Sequence, residues 1–77
     1  MSRPAEEQAV HTVRVNGEGH MLAAGTHVEA IVARFAGAQS DGVAVAVNGE
    51  IIPRRHWRER EVCNGDDIEI VRAVQGG

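Results

Sequence analysis

Two Asn-Gly pairs, Asn16-Gly17 and Asn48-Gly49, constrain this chain more than any other feature. Each supplies two successive residues that tolerate positive φ, as the two-residue type I′ hairpin turn requires. The flanking residues agree. Val13 and Val15 alternate with Thr12 and Arg14 before the first pair, and Val43-Ala44-Val45-Ala46-Val47 alternates strictly before the second. Such period-two alternation marks a half-buried strand. The first pair therefore predicts a hairpin whose return strand runs over roughly 19–23, with His20 and Leu22 on one face and Met21 on the other. The second predicts a short strand at Ile51-Ile52, which Pro53 ends or confines to an edge. A last strand is expected over residues 68–74, after a turn at Asn64-Gly65-Asp66-Asp67.

One segment changes period. Val28, Ile31, Val32 and Phe35 stand at i, i+3, i+4 and i+7, a single apolar stripe of a helix. Thr26 is placed to cap it, Glu29 to complete a capping box, and Gly37 to stop it. A helix of about ten residues is marginal alone, so packing must hold it. Residues 54–61 read as irregular or as one helical turn around Trp57. There Trp57 is expected to cover one end of the core, and Arg54 to pair with a nearby carboxylate. The order of elements gives an α+β fold: one mixed sheet of four to five strands with one main helix on one face. The first and last strands should lie side by side in the centre, parallel. Ile68 and Ile70 should then face the helix with Val43, Val45 and Val47. The expected division is a lead-in over 1–9, a folded domain over 10–74 and a flexible tail over 75–77.

Composition narrows the function. The 77 residues include one Phe, one Trp and no Tyr. The core must be aliphatic, and a deep aromatic-lined cofactor pocket is not expected. Net charge is −3, and the single basic cluster, Arg54-Arg55-His56 with Arg58 and Arg60, is interrupted by Glu59 and Glu61. Phosphate backbones call for a concentrated basic surface, so nucleic acid is not an expected partner. Cys63 is the one cysteine, which leaves no internal disulfide and no thiolate cage; it is expected to be a buried or inert thiol. His11, His20, His27 and His56 have no metal-ligand spacing. Residues 1–8 lack an apolar signal-peptide core, and no run reaches transmembrane length, so a cytoplasmic location without membrane attachment is the expectation.

The sequence closes on Gln75-Gly76-Gly77. Two glycines carry no Cβ, so they can thread a narrow channel and present an unhindered carboxylate. Read alone, they fit a frayed end as well as a substrate tail. Upstream residues shift the balance: Ala23-Ala24-Gly25-Thr26 at the helix entry, Ala46-Val47-Asn48, Ile52-Pro53-Arg54-Arg55-His56-Trp57, and Gly65-Asp66 before the last strand. Together with the diglycine, over residues 10–77, they resemble the ThiS/MoaD-type family of β-grasp, ubiquitin-like sulfur carriers, most closely its thiamine-biosynthesis branch. The lead-in departs from that family, whose chains often start almost on the first strand.

The resemblance implies a β-grasp fold and a protein that is a co-substrate, not an enzyme. The Gly77 carboxylate would be adenylated with ATP by an E1-like (ThiF-type) enzyme and converted to a thiocarboxylate with sulfur from a cysteine-derived persulfide donor. Thiazole synthase (ThiG-type) would be the acceptor. Gln75, Gly76 and Gly77 would enter the partners' active sites, and no cofactor or metal would be held by the chain itself. The pleat places Ala44, Ala46, Val71 and Ala73 on the face away from the helix, a flat docking patch beside the root of the tail. Two other readings share the fold. One is a molybdopterin synthase small subunit, whose aromatic-Pro-Pro approach to the diglycine is replaced here by Arg72-Ala73-Val74-Gln75. The other is a ubiquitin-like modifier that forms amide bonds with protein lysines.

Overall fold

The Asn16-Gly17 and Asn48-Gly49 pairs turn the chain where the alternation stops. Asn16 and Asn48 have φ of 53° and 52°, and Gly17 and Gly49 have 88° and 84°. Positive φ at both central residues is the type I′ signature. The computed structural model describes residues 9–37 and 41–72. The first pair joins β1 (Val10–Val15) to β2 (Glu18–Ala23), and the second joins β3 (Val43–Val47) to β4 (Glu50–Ile51). Helix α1 spans Val28–Ala36, a 3-10 turn spans Arg54–His56, and β5 spans Asp67–Arg72. Ile52 falls just outside β4 and is buried, and the backbone leaves the sheet at Pro53 as expected.

The five strands form one mixed sheet in the order β2-β1-β5-β3-β4. β1 and β5 run parallel at its centre, with Arg14 opposite Asp67 and Val15 opposite Ile68. β3 pairs antiparallel with β5 along its whole length, from Val43 opposite Arg72 to Val47 opposite Ile68. This is the β-grasp arrangement the sequence called for. The core lies between α1 and one sheet face: Val13 and Val15, Leu22, Val45 and Val47, and Ile68 meet Val28, Ile31 and Val32 of the helix. Phe35, Val43 and Ile70 are half-buried at its margin. Trp57 closes one end and donates its indole N–H to the carbonyl of Ile52 at 2.9 Å. Arg54 pairs with Asp41 at 3.2 Å and lies over the Trp57 ring.

The helix start differs from expectation. Its N-cap is His27, with no side-chain cap, and the Thr26 hydroxyl instead donates to the carbonyl of Ala23 at 2.6 Å. Glu29 does not reach back to close a box; it sits 3.6 Å from Arg58 on the surface. The first helical N–H groups are satisfied by a distant segment: Val28 N–H donates to Arg60 O at 2.9 Å and Glu29 N–H to Trp57 O at 3.0 Å. Val62 N–H returns a bond to Thr26 O at 2.8 Å. Orphan donors at a helix start need an acceptor, and a backbone carbonyl serves as well as a hydroxyl. That arrangement makes residues 52–62 the bracket that holds the helix on the sheet.

Candidate functional site

With α1 on one face of the sheet, the other face is left open among the described residues. The pleat assigns Val10, Thr12 and Arg14 of β1, Met21 of β2, Ala44 and Ala46 of β3, Ile51 of β4, and Glu69 and Val71 of β5 to it. Among the described residues, the large apolar side chains that remain exposed are Val10, Met21, Ile51 and Val71, at 55%, 64%, 65% and 60%. All four lie on this open face. Singly exposed apolar residues are ordinary, but their gathering on one face makes that face the candidate interaction surface.

Cross-strand register sets the local pattern. Ala44 stands opposite Val71, so a small residue leaves the valine side chain standing proud near the end of β5. Ala46 is flanked by Glu69 of β5 and Ile51 of β4. The residue is only 9% exposed, because longer neighbours rise on both sides. Ala46 is therefore a recessed floor, not the exposed patch member the alternation suggested. Ala44 and Val71 are exposed as expected. Ala73, Gln75, Gly76 and Gly77 lie outside the described residues.

Period-two reading of single strands did not single out Ile51 and Met21. They join the face through strand order: the second hairpin sets Ile51 beside Ala46, and the first sets Met21 opposite Thr12. Arg72 was also missed. Its guanidinium points to the helix side and donates to the carbonyl of Ala36, at the end of α1, at 2.6 Å. A cation at a helix C-terminus satisfies an orphan carbonyl and opposes the negative end of the dipole.

On the opposite side an open groove of about 540 Å³ runs between α1 and the 3-10 turn, over Val32, Ala33 and Trp57. Arg54, Arg55 and Arg58 line it, Arg54 pairing with Asp41 at 3.2 Å and Arg58 with Glu29 at 3.6 Å, so its acidic side chains are engaged in surface ion pairs. Asp66 is buried and accepts from Asn48 Nδ2 at 2.9 Å and from the Cys63 N–H at 2.8 Å, which makes it a turn pin. Cys63, expected buried or inert, is exposed. Among the described residues no three His, Cys, Asp or Glu side chains gather as a metal ion would need. No described helix is long and apolar enough to cross a membrane. What the arrangement can do is dock: it offers a partly apolar sheet face whose central strand leads directly into residues 73–77.

Comparison with known proteins agrees with this geometry. The ThiS family model matches residues 7–77. The chain is 32% identical over 62 residues to the sulfur carrier protein ThiS of Escherichia coli strain K12, covering 80% of this chain and 92% of that protein. It is 38% identical over 63 residues to a thiazole synthase of Paramagnetospirillum magneticum. That match takes in 82% of this chain but spans only 19% of the synthase. Among solved structures, the thiamine biosynthesis protein ThiS from Geobacter metallireducens superposes with a TM-score of 0.73 at 28% identity, covering 86% of this chain and 99% of that one.

Proposed function

Because the chain belongs to the ThiS family, we propose that it is the sulfur carrier of thiamine biosynthesis and works as a co-substrate through the carboxylate of Gly77. The observation that carries the reading is the family match running through residue 77 on a fold whose open sheet face leads into that segment. A carboxylate is a poor acyl donor, because oxide is a poor leaving group. Attack of the Gly77 carboxylate on the α-phosphorus of ATP, in an E1-like enzyme, expels pyrophosphate and leaves an acyl-adenylate. A sulfur nucleophile from a cysteine-derived persulfide then attacks the carbonyl carbon. AMP departs and leaves an acyl disulfide that joins Gly77 to the donor's cysteine sulfur. A second thiol, acting as reductant, then attacks that cysteine sulfur; the S–S bond breaks, a disulfide forms on the donor side, and the Gly77 thiocarboxylate is released.

The chain's own contribution is binding and presentation. The sheet face around Ala44 and Val71 would seat on the activating enzyme and then on the acceptor, while Gln75, Gly76 and Gly77 enter the active site. Thiazole synthase as acceptor is supported by the synthase that contains, within a fifth of its length, a segment similar to this chain. ATP is consumed in the partner's site, and no cofactor is assigned to the carrier.

Incubation with ATP, an E1-like enzyme and a cysteine-derived sulfur source, followed by mass spectrometry of the C-terminal peptide, tests the reading. The expected product has one oxygen of Gly77 replaced by sulfur and alkylates at that peptide. The peptide must be isolated, since Cys63 is exposed and also alkylates. An unmodified Gly77 carboxylate, under conditions where the enzyme activates a known carrier, would end the proposal.

A further inference from the structure

The parallel ladder between β1 and β5 stops early. β1 turns away at Asn16, yet β5 continues to Arg72. Asn16 N–H still donates to Ile68 O at 2.8 Å. In a longer β1 the next rung would run from Ile70 N–H to the main-chain carbonyl of Asn16. The side chain supplies that rung instead: Ile70 N–H donates to Asn16 Oδ1 at 2.8 Å, and Asn16 Nδ2 donates to Ile70 O at 3.3 Å. Two residues on, Arg72 donates to Ala36 O at 2.6 Å. The end of β5 is thus tied on one edge by the β3 ladder, on the other by the Asn16 amide, and across the helix face by the Arg72 guanidinium.

We propose that Asn16 and Arg72 are positioning residues for adenylation, clamping the end of β5 so that residues 73–77 leave the domain from one fixed point and in one direction. The inference rests on the sulfur-carrier reading. Five residues reach at most about 17 Å when extended, and unzipping two more adds about 7 Å. Chain statistics alone would then lower the local concentration of the carboxylate less than about twofold. Loss of direction costs more, because small misplacement of a reacting group lowers rates steeply. The sheet face that binds the partner is untouched, so binding and turnover should separate.

The test uses Asn16→Gly, which keeps a residue at ease with positive φ but removes the amide, together with Arg72→Ala and Arg72→Lys. ATP–pyrophosphate exchange by the activating enzyme would be measured against carrier concentration. In parallel, hydrogen exchange would be followed at the amides of residues 70–72. The Asn16→Gly/Arg72→Ala double variant should lose about fivefold or more in kcat while KM stays within about twofold, with faster exchange at those amides. Arg72→Lys should recover part of the loss. Arg72→Ala alone, an exposed substitution, keeps the test open if the double variant does not fold. Unchanged kcat with accelerated exchange overturns the proposal. So does lost kcat with unchanged exchange, which would mean that these side chains touch the enzyme directly. If the wild-type chain is not adenylated by an enzyme that activates a known carrier, the carrier reading itself fails, and the proposal with it.

Discussion

Asn48 shows how much of a residue's role is local and how much is not. Its place in an Asn-Gly pair forecasts the turn, and φ of 52° agrees. Its amide does something else: Nδ2 donates to Asp66, and Oδ1 accepts the N–H of Asp67 at 2.9 Å. Asn16 repeats the pattern farther along β5. These partners lie eighteen to fifty-four positions away, so no local pattern reveals them. Asp66 is the receiving end. Its buried carboxylate takes the Asn48 amide and the Cys63 N–H, and bonds to a charged acceptor are stronger than neutral ones. Asp66→Ala strands two donors and should cost about 2–3 kcal/mol. That is a large share of the roughly 4–11 kcal/mol typical for this length. Asp66→Asn, which retains one acceptor oxygen, should fall between. Urea unfolding measures both; a loss below about 0.5 kcal/mol in the alanine variant would contradict the pin.

At the scale of elements, the strands were the legible part, and the helix start was not. Period two located β1, β3 and β5, because half-buried strands write their pattern in consecutive residues. The stripe Val28, Ile31, Val32 and Phe35 located α1 for the same reason. The cap failed because Thr26 and Glu29 match a capping box in spacing while the orphan N–H groups already have acceptors at Trp57 O and Arg60 O. A bracket assembled from residues 52–62 leaves no trace near residue 26. The two accounts predict different variants. A real box would make Glu29→Ala cost about 1 kcal/mol. The bracket makes it nearly neutral, within about 0.5 kcal/mol, since the surface pair with Arg58 contributes little. Trp57→Ala removes the end of the core and the Ile52 bond, and should cost about 3–5 kcal/mol. Denaturant unfolding followed by far-UV circular dichroism separates the accounts. If Glu29→Ala proved as costly as a lost cap, the bracket would be the wrong description.

Over the whole molecule, the sheet divides the work between its faces. One face spends its apolar residues on α1; the other keeps Val10, Met21, Ile51 and Val71 in solvent. The alternation in β3 and β5 pointed to Ala44 and Val71. Ile51 and Met21 needed the strand order, which emerges only when all five strands are assembled. That order also ranks the positions. Strands lie about 4.8 Å apart, so Met21 on β2 is roughly 10 Å from β5, and Ile51 on β4 a similar distance on the other side. If the partner seats over β3, β5 and β4, where small Ala44 and recessed Ala46 let another surface approach, the apolar anchors are Val71 and Ile51. Ala46→Arg is then a poor probe, because a long side chain must push past Glu69 and Ile51 and would mix docking with sheet strain. Val71→Asp and Ile51→Asp are cleaner, since both side chains are already in water. If the proposed function holds, each should weaken binding to an E1-like activating enzyme about tenfold, or about 1.4 kcal/mol, with little change in melting temperature. Met21→Asp should change it less than threefold. Titration calorimetry of the three variants against one enzyme measures the ranking. If Met21→Asp weakened binding most, the docking centre would move to the β1–β2 edge. Indifference to all three would leave the carrier's recognition to its C-terminal segment alone.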